Sequence, residues 1–144
     1  MSSAPRRLCT FALDGLLYGI EVDRVVEVIR GPEFTRLPLA PPVVRGLVNL
    51  RGRIVSVIEL RRCLGLEERA TREAPVHIVV EHGGDAVSLL VDAVGDVMQV
   101  DLELEPPPDT LRGRARDFLE GAYPLAGRLL HVLDLDRTLD AAHA

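Results

Sequence analysis

The 144-residue chain contains no lysine and no tryptophan. All 17 basic residues are arginine, which excludes Schiff-base chemistry and catalysis by a lysine amine. Three Phe and two Tyr are the only aromatics, too few to build the stacking platforms of single-strand nucleic-acid binders. The formal net charge of −5 and a pI near 5.3 argue against a polyanionic partner. Two cysteines, Cys9 and Cys63, make no disulfide framework. No apolar run approaches the ~18 residues of a membrane span, and the polar Met1–Arg7 stretch leads into no signal-peptide core. The expectation is a soluble cytoplasmic protein with reduced thiols.

Apolar residues, mostly Val and Leu, make up 47% of the chain, a composition that suits many short strands. Leu8–Leu13 and Leu16–Val22 read as a hairpin about Asp14-Gly15. Val25–Ile29 fits helical spacing, but its β-branched content favours a strand with a bulge or bend. Gly31–Pro42, with four prolines, is a linker, and Pro42–Arg45 suits one helical turn opened by proline. Arg61–Leu66 reads as a short helix or turn, and the charged Glu67–Pro75 as a boundary between halves. Val76–Glu81 and Ala86–Val91 form the next hairpin, across Gly83-Gly84-Asp85. Asp101–Pro108 reads as an edge strand stopped by three prolines, Thr110–Asp117 as a surface loop, and Asp136–Ala142 as a terminal helix.

The chain repeats itself. Gly46–Leu64, two strands joined at Arg51-Gly52, returns as Gly121–Leu139. At a constant offset of 75, Gly46, Leu50, Gly52, Arg53, Val57, Leu60, Arg62 and Leu64 meet identical residues. Val91–Val97 echoes Val22–Val28 at an offset of 69. The reading is two five-stranded β-barrels packed together, about 14–75 and 76–141, with residues 8–13 completing the second. In Arg53–Glu59, Val55 and Val57 point opposite to Ile54, Ile58 and Leu60. Both faces are apolar, so both should be covered.

No persuasive active site emerges. His77 and His82 point to opposite faces of a strand, as do His131 and Asp134, so neither pair can share a metal. Neither cysteine has a His nearby in sequence, Asp92, Asp96, Asp134 and Asp136 lack calcium-loop spacing, and no phosphate cradle precedes a helix. The expectation is no enzyme activity, no cofactor and no metal. Arg51 stands apart: its counterpart in the repeat is Ala126. A purely structural residue should recur, so the asymmetry points to a partner. The counterpart of Glu27 is the equally acidic Asp96, and Phe34 in the linker suits a core anchor.

The runs Phe11…Tyr18-Gly19-Ile20…Val25-x-Glu27-Val28, Thr35-Arg36-Leu37-Pro38…Pro41 and Gly46-x-x-Asn49-Leu50-Arg51-Gly52-x-Ile54-Val55-x-Val57-Ile58-Glu59-Leu60-Arg61 resemble the CheW family of chemotaxis coupling proteins. So do Leu90-Val91-Asp92-x-Val94-x-Asp96-Val97 and Gly121…Gly127-x-Leu129…Leu133-Asp134-Leu135, so that the likeness spans about residues 8–140. It implies a non-catalytic adaptor between the cytoplasmic tip of chemoreceptors and a CheA-type histidine kinase, recruited to membrane receptor arrays. The implied receptor side is Val25, Glu27, Val28, Phe34, Thr35, Gly46, Asn49 and Arg51, faced by Val87, Ser88 and Val94. The implied kinase side is Arg45, Arg53, Val55 and Val57. The helical receptor hairpin would lie in a groove between the barrels. Ser56 stands where proline is usual, Ser88 where glycine is common, and Glu59 where aspartate is usual. A coupling protein of a non-motility pathway, a detached kinase regulatory domain and, from a different class, a small His- or Cys-dependent enzyme are the alternatives.

Overall fold

The computed structural model describes residues 5–31, 35–36, 44–66, 76–111 and 113–142. The alternating Val/Leu pattern becomes eleven strands in two sheets. Strands β1 (Arg6–Leu13), β2 (Leu16–Glu21), β9 (Ala93–Val100), β10 (Leu119–Leu125) and β11 (Arg128–Leu133) form a five-stranded sheet in the order β10-β11-β2-β1-β9. Strands β3 (Val25–Arg30), β4 (Thr35–Arg36), β5 (Val44–Leu50), β6 (Arg53–Glu59), β7 (Val76–His82) and β8 (Asp85–Val91) form a six-stranded sheet in the order β3-β7-β8-β6-β5-β4. Three short helices, α1 (Leu60–Cys63), α2 (Arg114–Asp117) and α3 (Leu135–Ala142), complete the described residues, with a 3-10 turn at Val22–Arg24.

The two sheets are packed layers rather than closed barrels: both ladders are open. In the five-stranded sheet one isolated bridge, Glu105 to Ala122, crosses the gap beyond β9. That bridge is all the ladder pairing made by the expected edge strand at Asp101–Pro108, whose prolines withhold amide donors. Gly121 is required beside it, since a Cβ there would lie 2.2 Å from the Glu105 carbonyl oxygen.

The halves read along the chain are not the halves in space. Hairpin β1–β2 joins β9, β10 and β11 from the second repeat, and hairpin β7–β8 joins β3, β4, β5 and β6 from the first. The joints are parallel, β11 against β2 and β6 against β8. Residues 8–13 do enter the second sheet, but Leu16–Glu21 goes with them. A division near residue 75 therefore separates strands that pair, and each repeat lends its first hairpin to the other. This exchange places pairing partners far apart in sequence, so local patterning carries no signal of it.

Three apolar clusters follow. Cys9, Phe11, Tyr18, Ile58, Leu60, Ile78, Leu89, Leu133 and Leu139 belong to a core shared by both sheets. The five-stranded sheet carries a cluster of its own at Leu8, Val100, Tyr123, Leu130 and Val132. The six-stranded sheet carries another at Val48, Val55 and Val57. The two apolar faces of β6 thus reach different cores, as parity required, although Ile54 at its start stays 65% exposed. Two local expectations are corrected. Val44 and Arg45 open β5 rather than a helical turn, because pairing with β6 from Val44 onward satisfies their backbone; positions 42–43 lie outside the described residues. The stretch 110–117 is not all loop, since Arg114–Asp117 makes one helical turn.

Candidate protein-recognition face

The bulge expected in Val25–Ile29 lies between Val25 and Glu27, where the register against β7 shifts. Its consequence is geometric. Val25 opposes Val80 and Val28 opposes Ile78, both shared-core residues, while Glu27 opposes Val79 on the reverse face. One extra residue turns an i, i+3 pair to the same side of the strand. Strand β9 does the same thing through a bulge of its own, where Gly95 and Asp96 stand opposite Thr10: Val94 opposes Phe11 and Val97 opposes Cys9. Val25 and Val94 pack on the margin of the shared core, whereas Val28 and Val97 remain exposed, Val97 by 50%.

The β5–β6 turn brings polar chemistry to β3. Arg51 (φ 55°) and Gly52 (φ 82°) both occupy the left-handed region, as the tightest hairpin turns demand. An arginine there is strained by about 1 kcal/mol. Asn49 supports the conformation by accepting the Gly52 N–H at Oδ1, 3.1 Å away. The Arg51 guanidinium then meets Glu27 across 2.9 Å, with the Arg51 side chain 84% exposed. In the second repeat Pro124 and Ala126 occupy the places of Asn49 and Arg51. Asp96, the counterpart of Glu27, makes no ion pair that is resolved among the described residues.

The expected receptor-side residues divide by burial. Val25 and Glu27 are half-buried, as is Val94, while Val28, Thr35, Asn49 and Arg51 are exposed. Gly46 is buried opposite Val57. Val87 lies in the shared core, and Ser88 is fully buried with its hydroxyl 2.7 Å from His77 Nδ1. These three are buried and offer no exposed side chain for the direct contacts expected of them. Phe34 lies outside the described residues. On the expected kinase side Arg53 is exposed, and Arg45 is half-buried with Nε 4.0 Å from Glu59. Val55 and Val57 are buried in the six-stranded sheet's own cluster and present no surface, and the exposed apolar group of that strand is Ile54. Ile54 and Val97 escaped sequence reasoning, although the parity argument separated Ile54 from Val55 and the offset of 69 paired Val97 with Val28.

Burial shifts several titratable groups inside the protein. Burial pushes the Cys63 thiol up to about 12, with Glu59 adding to the effect, and burial raises Cys9 as well. Burial also raises the Glu59 carboxyl, against the pull of Arg45, Arg62 and Arg61. Among the described residues no group of three His, Cys, Asp or Glu side chains is arranged to hold a metal. No helix among them is long and apolar enough to cross a membrane.

The chain is thus a domain of two packed sheets whose bulged edge strands carry exposed valines, with an arginine held in a strained turn beside β3. Over residues 7–143 the sequence matches the CheW-like domain, and the chain belongs to that family. It is 32% identical to the chemotaxis protein CheW of Klebsiella aerogenes, covering 91% of this chain and 80% of that one. It is 29% identical to the chemotaxis protein CheW of Rhizobium meliloti, covering 94% and 88%. The fold is similar to the crystal structure of the scaffolding protein TtCheW from Thermoanaerobacter tengcongensis, with a TM-score of 0.82, 31% identity, and 94% and 92% of the two chains covered.

Proposed function

We propose that the chain is a non-catalytic adaptor of chemotaxis signal transduction that couples the cytoplasmic tip of a receptor to a CheA-type histidine kinase. One observation carries this reading: the CheW-like domain runs through residues 7–143, nearly the whole chain. The receptor's helical hairpin docks against Val25 and Val28 of β3, with Arg51, Glu27 and Asn49 setting its register and Val94 and Val97 of β9 adding apolar area. This is helix-in-groove recognition, in which apolar anchors supply burial and a few polar groups choose the partner. The kinase docks on the β5–β6 hairpin through Ile54 and Arg53. The mechanism is positional: holding both partners at once lets receptor conformation bias the kinase. The protein works in the cytoplasm, at the receptor array.

Two purified variants test the reading. Arg51→Ala should weaken binding of the receptor fragment and leave kinase binding unchanged, and Ile54→Arg should do the reverse. Loss of both partners by both variants, in proteins that remain folded, would refute the division of the surface.

A further inference from the structure

The chain passes between the sheets at two points among the described residues. Asp92 alone separates β8, in the six-stranded sheet, from β9, in the five-stranded one. The turn Val22–Arg24 separates β2, in the five-stranded sheet, from β3, in the six-stranded one. Each crossing leads directly into an edge strand of the recognition face, and each is gripped by the helix that follows a repeated hairpin. At the first, Arg61 of α1 forks onto Asp92, Nε to Oδ1 at 2.8 Å and a terminal nitrogen to Oδ2 at 2.6 Å. At the second, Arg24 donates to Asp136 Oδ1 of α3 at 2.7 Å and to the Glu81 carbonyl of β7 at 2.9 Å.

The two grips are related by the duplication. Asp136 is the counterpart of Arg61 at the offset of 75, and Asp23, next to Arg24, is the counterpart of Asp92 at the offset of 69. The charges are reversed between them. The retention of an ion pair at both crossings, with opposite polarity, points to a shared mechanical task rather than to one inherited contact. They differ in burial: the Arg61 and Asp92 side chains are only 9% and 15% exposed, whereas Asp136 is open to solvent and Arg24 half-buried. His82 reinforces the open grip, with Nδ1 3.1 Å from Asp136 and Nε2 2.8 Å from Asp140.

We propose that Arg24 and Asp136 are positioning residues for receptor binding: their ion pair fixes where β3 departs from the crossing, and so where Val25, Glu27 and Val28 meet the receptor. The inference rests on the receptor reading above. The buried grip sets the position of β9 permanently, and the open grip leaves β3 adjustable by ionic conditions.

The test compares the full chain with Arg24→Ala, Asp136→Asn and the exchange Arg24→Asp with Asp136→Arg. Hydrogen exchange across residues 22–30 is measured on the free protein, and affinity for a receptor cytoplasmic fragment is measured separately. Each single variant should speed β3 exchange and weaken receptor binding about three- to fivefold, with the thermal midpoint held, as suits a partly exposed pair. The exchanged pair should recover part of both, since the ion pair returns while the bond to the Glu81 carbonyl does not. Unchanged exchange and affinity would overturn the proposal. So would lost affinity with unchanged exchange, since Arg24 would then be a direct contact. If the unaltered protein fails to bind receptor, the receptor reading falls, while the exchange data still decide whether the pair holds β3.

Discussion

Arg51, at the tip of the β5–β6 hairpin, reaches Glu27 on the edge strand β3 across 2.9 Å. The two residues lie on elements that are not neighbours in the sheet order, so the contact closes over the end of the six-stranded sheet. Most of Arg51 remains in water, and an exposed ion pair contributes at most about 1 kcal/mol to stability. The strain of its left-handed backbone offsets even that. We therefore expect Arg51→Gly to leave stability unchanged or slightly raised, and Arg51→Ala to unfold at nearly the original denaturant concentration. Both should weaken receptor binding by about 1–2 kcal/mol or more, as loss of an interface anchor does. Urea titration and calorimetry on the same preparations separate the two effects.

Arg61 and Asp92 behave differently because they are inside. Asp92 also accepts the Asp14 backbone N–H at Oδ2, 2.9 Å away, so one carboxylate ties together α1, the β8–β9 crossing and the β1–β2 turn. Removing one partner strands a buried charge, which costs about 3–5 kcal/mol. Asp92→Ala or Arg61→Ala should each lower stability by that amount in urea melts. The double variant should cost clearly less than the sum of the singles.

Much of this architecture was legible in the sequence, and the reasons are physical. Local rules recovered the Asp14-Gly15, Arg51-Gly52 and Gly83-Gly84 turns and the bulge after Val25, because turn chemistry and side-chain alternation act over a few residues. Parity separated Val55 and Val57 from Ile58 and Leu60, but it does not say which core each face enters, and the family resemblance puts the two valines on an outer face. The hairpin exchange, the Arg61–Asp92 fork and the buried place of Ser88 depend on residues brought together by the fold. The asymmetry of Arg51 against Ala126 drew attention to that side chain, whereas its partner Glu27 was hidden by the acid Asp96 at the matching place.

Ser88 is fully buried and hydrogen-bonded to His77. Its hydroxyl cannot touch a docked partner without rearrangement of β8. Ser88→Ala should therefore cost about 1–3 kcal/mol of stability, because it strands the buried His77 nitrogen, and leave receptor affinity unaltered. Equilibrium denaturation and a binding isotherm check both halves.

Cys63 makes the fold sensitive to alkali. Its thiol is raised to about 12 by burial, against an ordinary value of about 8.5 in an unfolded chain. The native state thus holds its proton more tightly. This contribution is complete below the unfolded value and is lost as pH climbs toward 12, at roughly 1.4 kcal/mol for each unit of difference. Cys9 and Tyr18 are raised by burial and act in the same direction. Stability measured in urea should decline above about pH 9, and Cys63→Val should flatten part of that decline.

The central claim is that this chain joins two proteins. Receptor cytoplasmic fragments displayed on vesicles can be sedimented with purified kinase, with and without the chain, while kinase autophosphorylation is read in the same samples. The account predicts that the kinase reaches the pellet and comes under receptor control only when the chain is present, and that Arg51→Ala lowers both together. Kinase sedimenting equally well without the chain, or the chain remaining in the supernatant beside receptor and kinase, would contradict it.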